Sequence, residues 1–207
     1  MSNYLYPLAS LAQIQKSPSR EDGIPEDLEQ DLRAYGCKLI HQAGILLRQF
    51  VMPFSCWSRS HLEFRKQVAI ATAQILFQRF WYVTSLKQFG VADIGMGALY
   101  LSSKLEECPL RMRDIINVYD LLLQRANHSI GSKAHQEFRY HPMSYFGDTF
   151  YSMKEALVVA EMQILKRLGF NVHVVLPYNT LINYLQLLGL GRNPEVCTKA
   201  WGYLNDA

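Results

Sequence analysis

Apolar side chains recur every three or four positions along most of this chain, and no segment keeps the strict two-residue alternation of a half-buried strand. The pattern predicts an all-α protein. Its organising stretch runs from Val91 to Arg125. Val91, Ile94, Ala98, Leu101 and Leu105 share one helical face, and Met112, Ile115, Ile116, Tyr119, Leu122 and Leu123 share another. Between them stands Cys108-Pro109. Proline lacks an N–H and its ring clashes with the preceding turn, so the two helices form a hairpin. Lys104, Glu106 and Glu107 precede the break and Arg111 and Arg113 follow it, which gathers charge at one end of the hairpin. Gly95 and Gly97 lie inside the first of these helices, where each costs about 1 kcal/mol relative to alanine. A helix that keeps both is expected to be central and to pack unusually close to a neighbour.

The same periodicity marks further helices on either side. Residues 1–25, with Pro7, Ser17, Pro18, Ser19 and Gly23, form a lead-in expected to lie on the surface. Pro25 is placed at a first helical position, and Glu26 and Asp27 suit the positive end of the helix dipole. Leu28, Leu32, Tyr35, Leu39, Ala43 and Leu46 then form the stripe of a first helix, from Glu26 to about Arg48. Gln67 to Tyr82 is apolar nearly all round, the mark of a helix surrounded by others. Residues 126–148 read as a loop. Tyr151 to Leu168 is a fifth helix that points Met153, Ala156, Leu157, Ala160, Ile164, Leu165 and Leu168 inward, with Gly169 as its C-cap. Pro177 opens a sixth, closed by Gly189 and Gly191, and Asn193-Pro194 opens a seventh. Five helices make one unit over residues 26–170, and residues 171–207 begin a second that is expected to be cut short.

One carboxylate breaks the pattern: Glu161 lies four after Leu157 and three before Ile164, so it borders the apolar stripe instead of facing open water. One segment fits no ordinary connection. Phe50 to Arg65 is aromatic and aperiodic, whereas helix connections in bundles usually run about 2 to 8 residues. Phe50, Phe54, Trp57 and Phe64 read either as a docking patch or as the unfavourable exposure of a non-native insertion.

Composition narrows the function classes. A chain of 207 residues with 49% hydrophobic content can bury one large core or two smaller ones. The net charge is +3 and no block of five or six like charges occurs, so neither direct nucleic-acid contact nor membrane binding is expected. No apolar run reaches the roughly 18 to 20 residues that span a bilayer. The four cysteines are scattered without CxxC spacing, which suits a reducing compartment, cytosol or nucleus. Cys37 and His41 are four apart and could offer two metal ligands, but no second pair is in phase with them, and no metal or cofactor is expected. His128, His135 and His141 lack accompanying carboxylates or cysteines. Without GxSxG, a glycine-rich phosphate loop or HExxH, no residue is nominated as catalytic.

SPSREDGI before the first helix, GCKLIHQAGILLR within it, LFQRFWY, LSSKLEECPLRMRDIINVYDLL, AEMQILKRLGFNVHVVLP and AWGYLNDA resemble corresponding segments of the cyclin family, and specifically its cyclin L type. LSSKLEE marks a cyclin in general, whereas RMRDIINVYDLL and NVHVVLP mark the L type. The resemblance implies a five-helix cyclin box over residues 26–170, followed by the start of a second, incomplete box. It implies a non-catalytic subunit, without cofactor, that forms a heterodimer with a cyclin-dependent kinase. Such a subunit presses the kinase's regulatory helix inward, so that a kinase glutamate pairs with the ATP-positioning lysine. A nuclear location, a role in RNA polymerase II transcription and pre-mRNA splicing, and contacts with transcription or splicing factors are implied too. By motif, the family's kinase-contacting lysine and glutamate fall on Lys104 and Glu161, with Glu107, Arg111 and Arg113 as neighbouring surface contacts.

Without the resemblance, Lys104 reads more readily as a solvated lysine near a helix end than as an interface residue, and Glu161 as a carboxylate that caps or pairs with Lys104 inside the free protein. Gln78 stands where cell-cycle cyclins carry aspartate before Arg-Phe, which points away from the mitotic branch. Deleting Phe50 to Arg65 would leave the continuous family-like run GILLRQ-KQVAIATAQ, so the insertion reads as translated intron or an alternative splice product. Two other functions stay open. One is a cyclin-fold adaptor of the general initiation-factor type. The other is an inactive truncated product in which Leu181, Leu185, Leu188 and Trp201 lack partners.

Overall fold

The computed structural model describes residues 10–50, 59–130 and 137–206, which fall into two compact units, Met1–His173 and Val174–Ala207. Among the described residues all regular structure is helical. The first unit holds α1 (Leu11–Gln15), α2 (Pro18–Glu21), α3 (Glu26–Phe50), α4 (Arg59–Trp81), α5 (Val91–Leu105), α6 (Met112–Ile130) and α7 (Asp148–Arg167). The second holds α8 (Tyr178–Leu187) and α9 (Pro194–Asp206).

α5 is the centre of the first unit, packed against α3, α4, α6 and α7. Its residues Ile94 to Leu99 are all buried, as are Leu101, Ser102 and Ser103. A polar side chain survives there only with a partner, and Ser102 and Ser103 donate to the carbonyls of Leu99 and Tyr100 one turn earlier. The part of α4 from Gln67 on, read as apolar nearly all round, buries Ala73, Leu76, Phe77, Phe80 and Trp81 completely, while Val68, Ala71, Ile75 and Arg79 remain half-buried. The rings of Phe77 and Phe80 both meet Trp81 edge to face, at 5.7 and 5.0 Å.

Four sequence expectations need correction. Pro25 stands outside α3 as its flanking residue: its carbonyl accepts from the Glu29 N–H at 3.0 Å, and Glu26 is the first helical residue. The stripe of α3 is rotated. Leu28 and Tyr35 are exposed, while Glu29 is 1% exposed and the inward face continues through Leu39, Ile40, Ala43 and Leu47. The cause is the lead-in, which folds back instead of lying wholly on the surface. Ser17 caps α2 and donates to Glu29 Oε2 at 2.8 Å, and Arg20 Nε meets the same oxygen at 2.9 Å. Ser19 is buried too and accepts from the Leu86 N–H.

Third, α4 begins at Arg59, within the stretch read as an aperiodic insertion. No proline or glycine separates Arg59 from Gln67, and arginine, leucine, glutamate and lysine all propagate a helix well. Phe50 ends α3, residues 51–58 lie outside the described residues, and the docking-patch reading of Phe50, Phe54, Trp57 and Phe64 falls on side chains outside them. Fourth, α6 runs on to Ile130, since no breaker occurs before Gly131; His135 lies outside the described residues.

In the second unit Asn193 caps α9, accepting from the Glu195 and Val196 N–H groups, with Pro194 first in the helix. The Tyr178 ring stacks on Trp201 at 4.8 Å and its hydroxyl donates to Asn205. Trp201 therefore has a partner inside this unit and Leu185 is buried, while Leu187 and Leu188 are exposed.

Candidate functional site

The hairpin end singled out by its charges is built by a close helix crossing. A Cβ on Gly97 would stand 2.7 Å from Ala160 Cβ and 2.9 Å from the Glu161 backbone nitrogen, so α5 and α7 approach there as only glycine permits. Long helical side chains point back toward the helix N-terminus, which carries Lys104 from the last turn of α5 toward that crossing. Its Nζ lies 2.6 Å from Glu161 Oε1 and 4.0 Å from the centre of the Tyr100 ring, one turn below. Burial by itself would lower the Lys104 pKa, but the hydrogen bond and charge of Glu161, joined by Tyr100, outweigh it and hold the ammonium above its usual range.

The pair is poised at the surface. Lys104 is 43% exposed and Glu161 16%, with exposed Val158 and Met162 on the same helix as the carboxylate and exposed Leu105 beside the lysine. One of the three ammonium donors is used by Glu161, and a carboxylate has more lone pairs than one lysine occupies. The arrangement can therefore offer both a donor and an acceptor to a partner's backbone while excluding water with its apolar rim. Sequence reasoning missed Tyr100. Its signal was present, as an aromatic four residues before a lysine on one helix.

The other nominated residues go to two further places. Glu107 closes α5: the Glu107 and Cys108 N–H groups donate to the carbonyls of Lys104 and Ser103, with Glu107 exposed and left-handed at φ 55°. Its neighbour Glu106 accepts from the buried Thr72 hydroxyl at 2.7 Å, a structural contact. Arg111 and Arg113, both exposed, line a groove of about 640 Å³ between α6 and the segment before α7, where the Arg113 guanidinium lies 5.8 Å from the Tyr145 ring centre. Cys37 Sγ accepts from Gln78 Nε2 at 3.1 Å while His41 is exposed, so the two do not assemble a site. Burial raises the Cys37 pKa against the opposing pull of Gln78 and Arg33.

The profile of the cyclin N-terminal domain matches residues 57–173, more than half of the chain and ending where the first unit ends. The chain belongs to the cyclin family. It is similar to human (Homo sapiens) cyclin-L2, 38% identical over 192 residues that make up 92% of this chain and 32% of the relative. Chicken (Gallus gallus) cyclin-L1 is 37% identical over 92% of this chain and 31% of its own length, and Xenopus laevis cyclin-L1 is 38% identical over 97% and 35%. This cyclin is thus of the L type, and it spans about a third of the length of those relatives. The family is regulatory, not catalytic.

Proposed function

We propose that this cyclin is the regulatory subunit of a cyclin-dependent serine/threonine kinase, acting in the nucleus on RNA polymerase II transcription and pre-mRNA splicing. The Lys104–Glu161 pair carries the reading: two opposite charges from neighbouring helices, bonded at 2.6 Å and partly open to solvent, with exposed Val158 and Met162 on the glutamate's helix and exposed Leu105 next to the lysine. Docking a kinase there removes water from the pair, which strengthens the hydrogen bonds it offers and favours the inward position of the kinase's regulatory helix. Glu107, exposed at the end of α5, is the next contact along this rim. The transcription and splicing role rests on the likeness to cyclin L.

The test is capture of kinase from nuclear extract by the tagged chain, followed by phosphorylation of a peptide of the polymerase tail. Active kinase retained by the wild-type chain and absent from Lys104→Glu supports the proposal; equal retention by both overturns it.

A further inference from the structure

The groove beside α6 has walls that are tied in place. Tyr140 donates to Asp120 Oδ2 at 3.0 Å, and Gln124 holds the backbone of His141 twice, donating to its carbonyl at 2.9 Å and accepting from its N–H at 3.2 Å. Burial, then the hydrogen bond and charge of Asp120, pushes the Tyr140 phenol up to about 12. The segment from Tyr140 to Phe146 is thereby strapped across α6, leaving a preformed trough whose floor is Val118, Leu121, Pro142, Met143 and Phe150. Its volume, about 640 Å³, lies within the usual range of ligand sites, about 300 to 1,000 Å³, and its lining follows their general plan of an apolar floor with a few charged groups at one edge.

The edge has one sign in excess. Arg111 and Arg113 stand at the N-terminal turn of α6, whose dipole adds positive potential, and Asp114 offsets one of the two guanidinium charges. Tyr145, half exposed, places a flat ring beside Arg113. We propose that this trough docks a short acidic peptide segment of a protein partner, its apolar side chain seated on the Leu121–Met143–Phe150 floor and its carboxylates paired with Arg111 and Arg113. Guanidinium groups take carboxylates in two-point contact, which fixes the orientation of the peptide as well as adding affinity. The site is distinct from the Lys104–Glu161 pair and gives Arg111 and Arg113 a partner other than the kinase.

The experiment is fluorescence anisotropy with the full chain and three labelled ten-residue peptides: one with three adjacent glutamates followed by a Leu-x-Phe anchor, one with lysines replacing the glutamates, and one with serines replacing the anchor. The expected result is saturable binding of the first alone, weakened about tenfold or more by Arg111→Glu/Arg113→Glu, with the lysine peptide now bound by that variant. Thermal melting of the variant within a few degrees of wild type shows that it folds, and Leu121→Gln, which leaves both arginines in place, is expected to weaken binding independently. Kinase capture is measured in parallel. Loss of peptide binding with kinase capture retained supports the proposal. Equal binding of all three peptides, binding indifferent to the arginine variants, displacement by a short single-stranded RNA, or joint loss of peptide and kinase overturns it.

Discussion

Lys104 and Glu161, 57 residues apart in sequence, meet at 2.6 Å across the α5–α7 crossing, over a Tyr100 ring that the ammonium faces at 4.0 Å. A pair this open contributes only about 0.2 to 1 kcal/mol to folding, and the proposed kinase contact gives it a role beyond stability. Lys104→Glu is expected to leave helix content unchanged by circular dichroism and to abolish kinase capture. The charge-swapped double variant Lys104→Glu/Glu161→Lys should recover stability without recovering capture. Recovery of both would make the pair a structural clamp only.

The same pair sets an alkaline limit. The Lys104 pKa is raised above its ordinary 10.5 in the folded chain. Its contribution is therefore fully present below about pH 10 and is lost as pH rises through the folded value. Urea unfolding of wild type and Lys104→Met should differ by a constant amount between about pH 7 and 9, and the difference should begin to shrink only once the pH passes the ordinary lysine value of 10.5.

Gly97 is where the crossing is most sensitive. Alanine gains about 1 kcal/mol of helix propensity, but its methyl would meet Ala160 Cβ at 2.7 Å and backbone at 2.9 Å, neither of which can swing away. Overpacking of this kind costs about 1 to 3 kcal/mol. Gly97→Ala is expected to lower the melting temperature by a few degrees and, by pushing α7 outward, to weaken kinase capture. An unchanged melting point would show that the helices can separate freely.

Tyr119 is buried in the core with its hydroxyl unpartnered among the described residues, and burial, with Cys37 nearby, drives its pKa well above the phenol range. A buried hydroxyl without a hydrogen bond costs about 1 to 3 kcal/mol. Tyr119→Phe should therefore leave stability equal or raise it, measured by thermal unfolding. A clear loss would mean that a partner, such as bound water, satisfies the group.

Glu29 anchors the lead-in through Ser17 and Arg20, with Arg33 at 3.7 Å on its other oxygen. Removing one member of a buried ionic cluster typically costs about 3 to 5 kcal/mol, less here because Arg20 is partly solvated. Glu29→Ala should destabilise the chain by about 2 to 3 kcal/mol and expose Arg20 to limited trypsin digestion. Resistance at Arg20 would show that Ser19 and Leu86 hold the segment unaided.

The elements of this cyclin were legible in its sequence wherever their cause is local. Cys108-Pro109 marked the break between two helices, Gly169 followed the end of one, Asn193 capped another, and the three-four spacing of Ile94, Ala98 and Leu101 marked a helix whose two glycines pointed to a central place, because periodicity, proline geometry and capping act within a turn or two of chain. Glu161 too announced itself as a carboxylate at the border of an apolar stripe. The resemblance named the family and nominated Lys104. What the sequence could not decide was which long-range partner each charge would find. Nothing in the local pattern singled out Glu29, and only the folding back of Ser17 and Arg20 onto it made a carboxylate part of the core. Arg111 and Arg113, adjacent to Lys104 in the hairpin, went to a groove whose other wall comes from Tyr140 to Phe146. The distance between Lys104 and Glu161 depended on α5 and α7 closing at Gly97 and Ala160, a non-local contact set by the packing of the whole bundle.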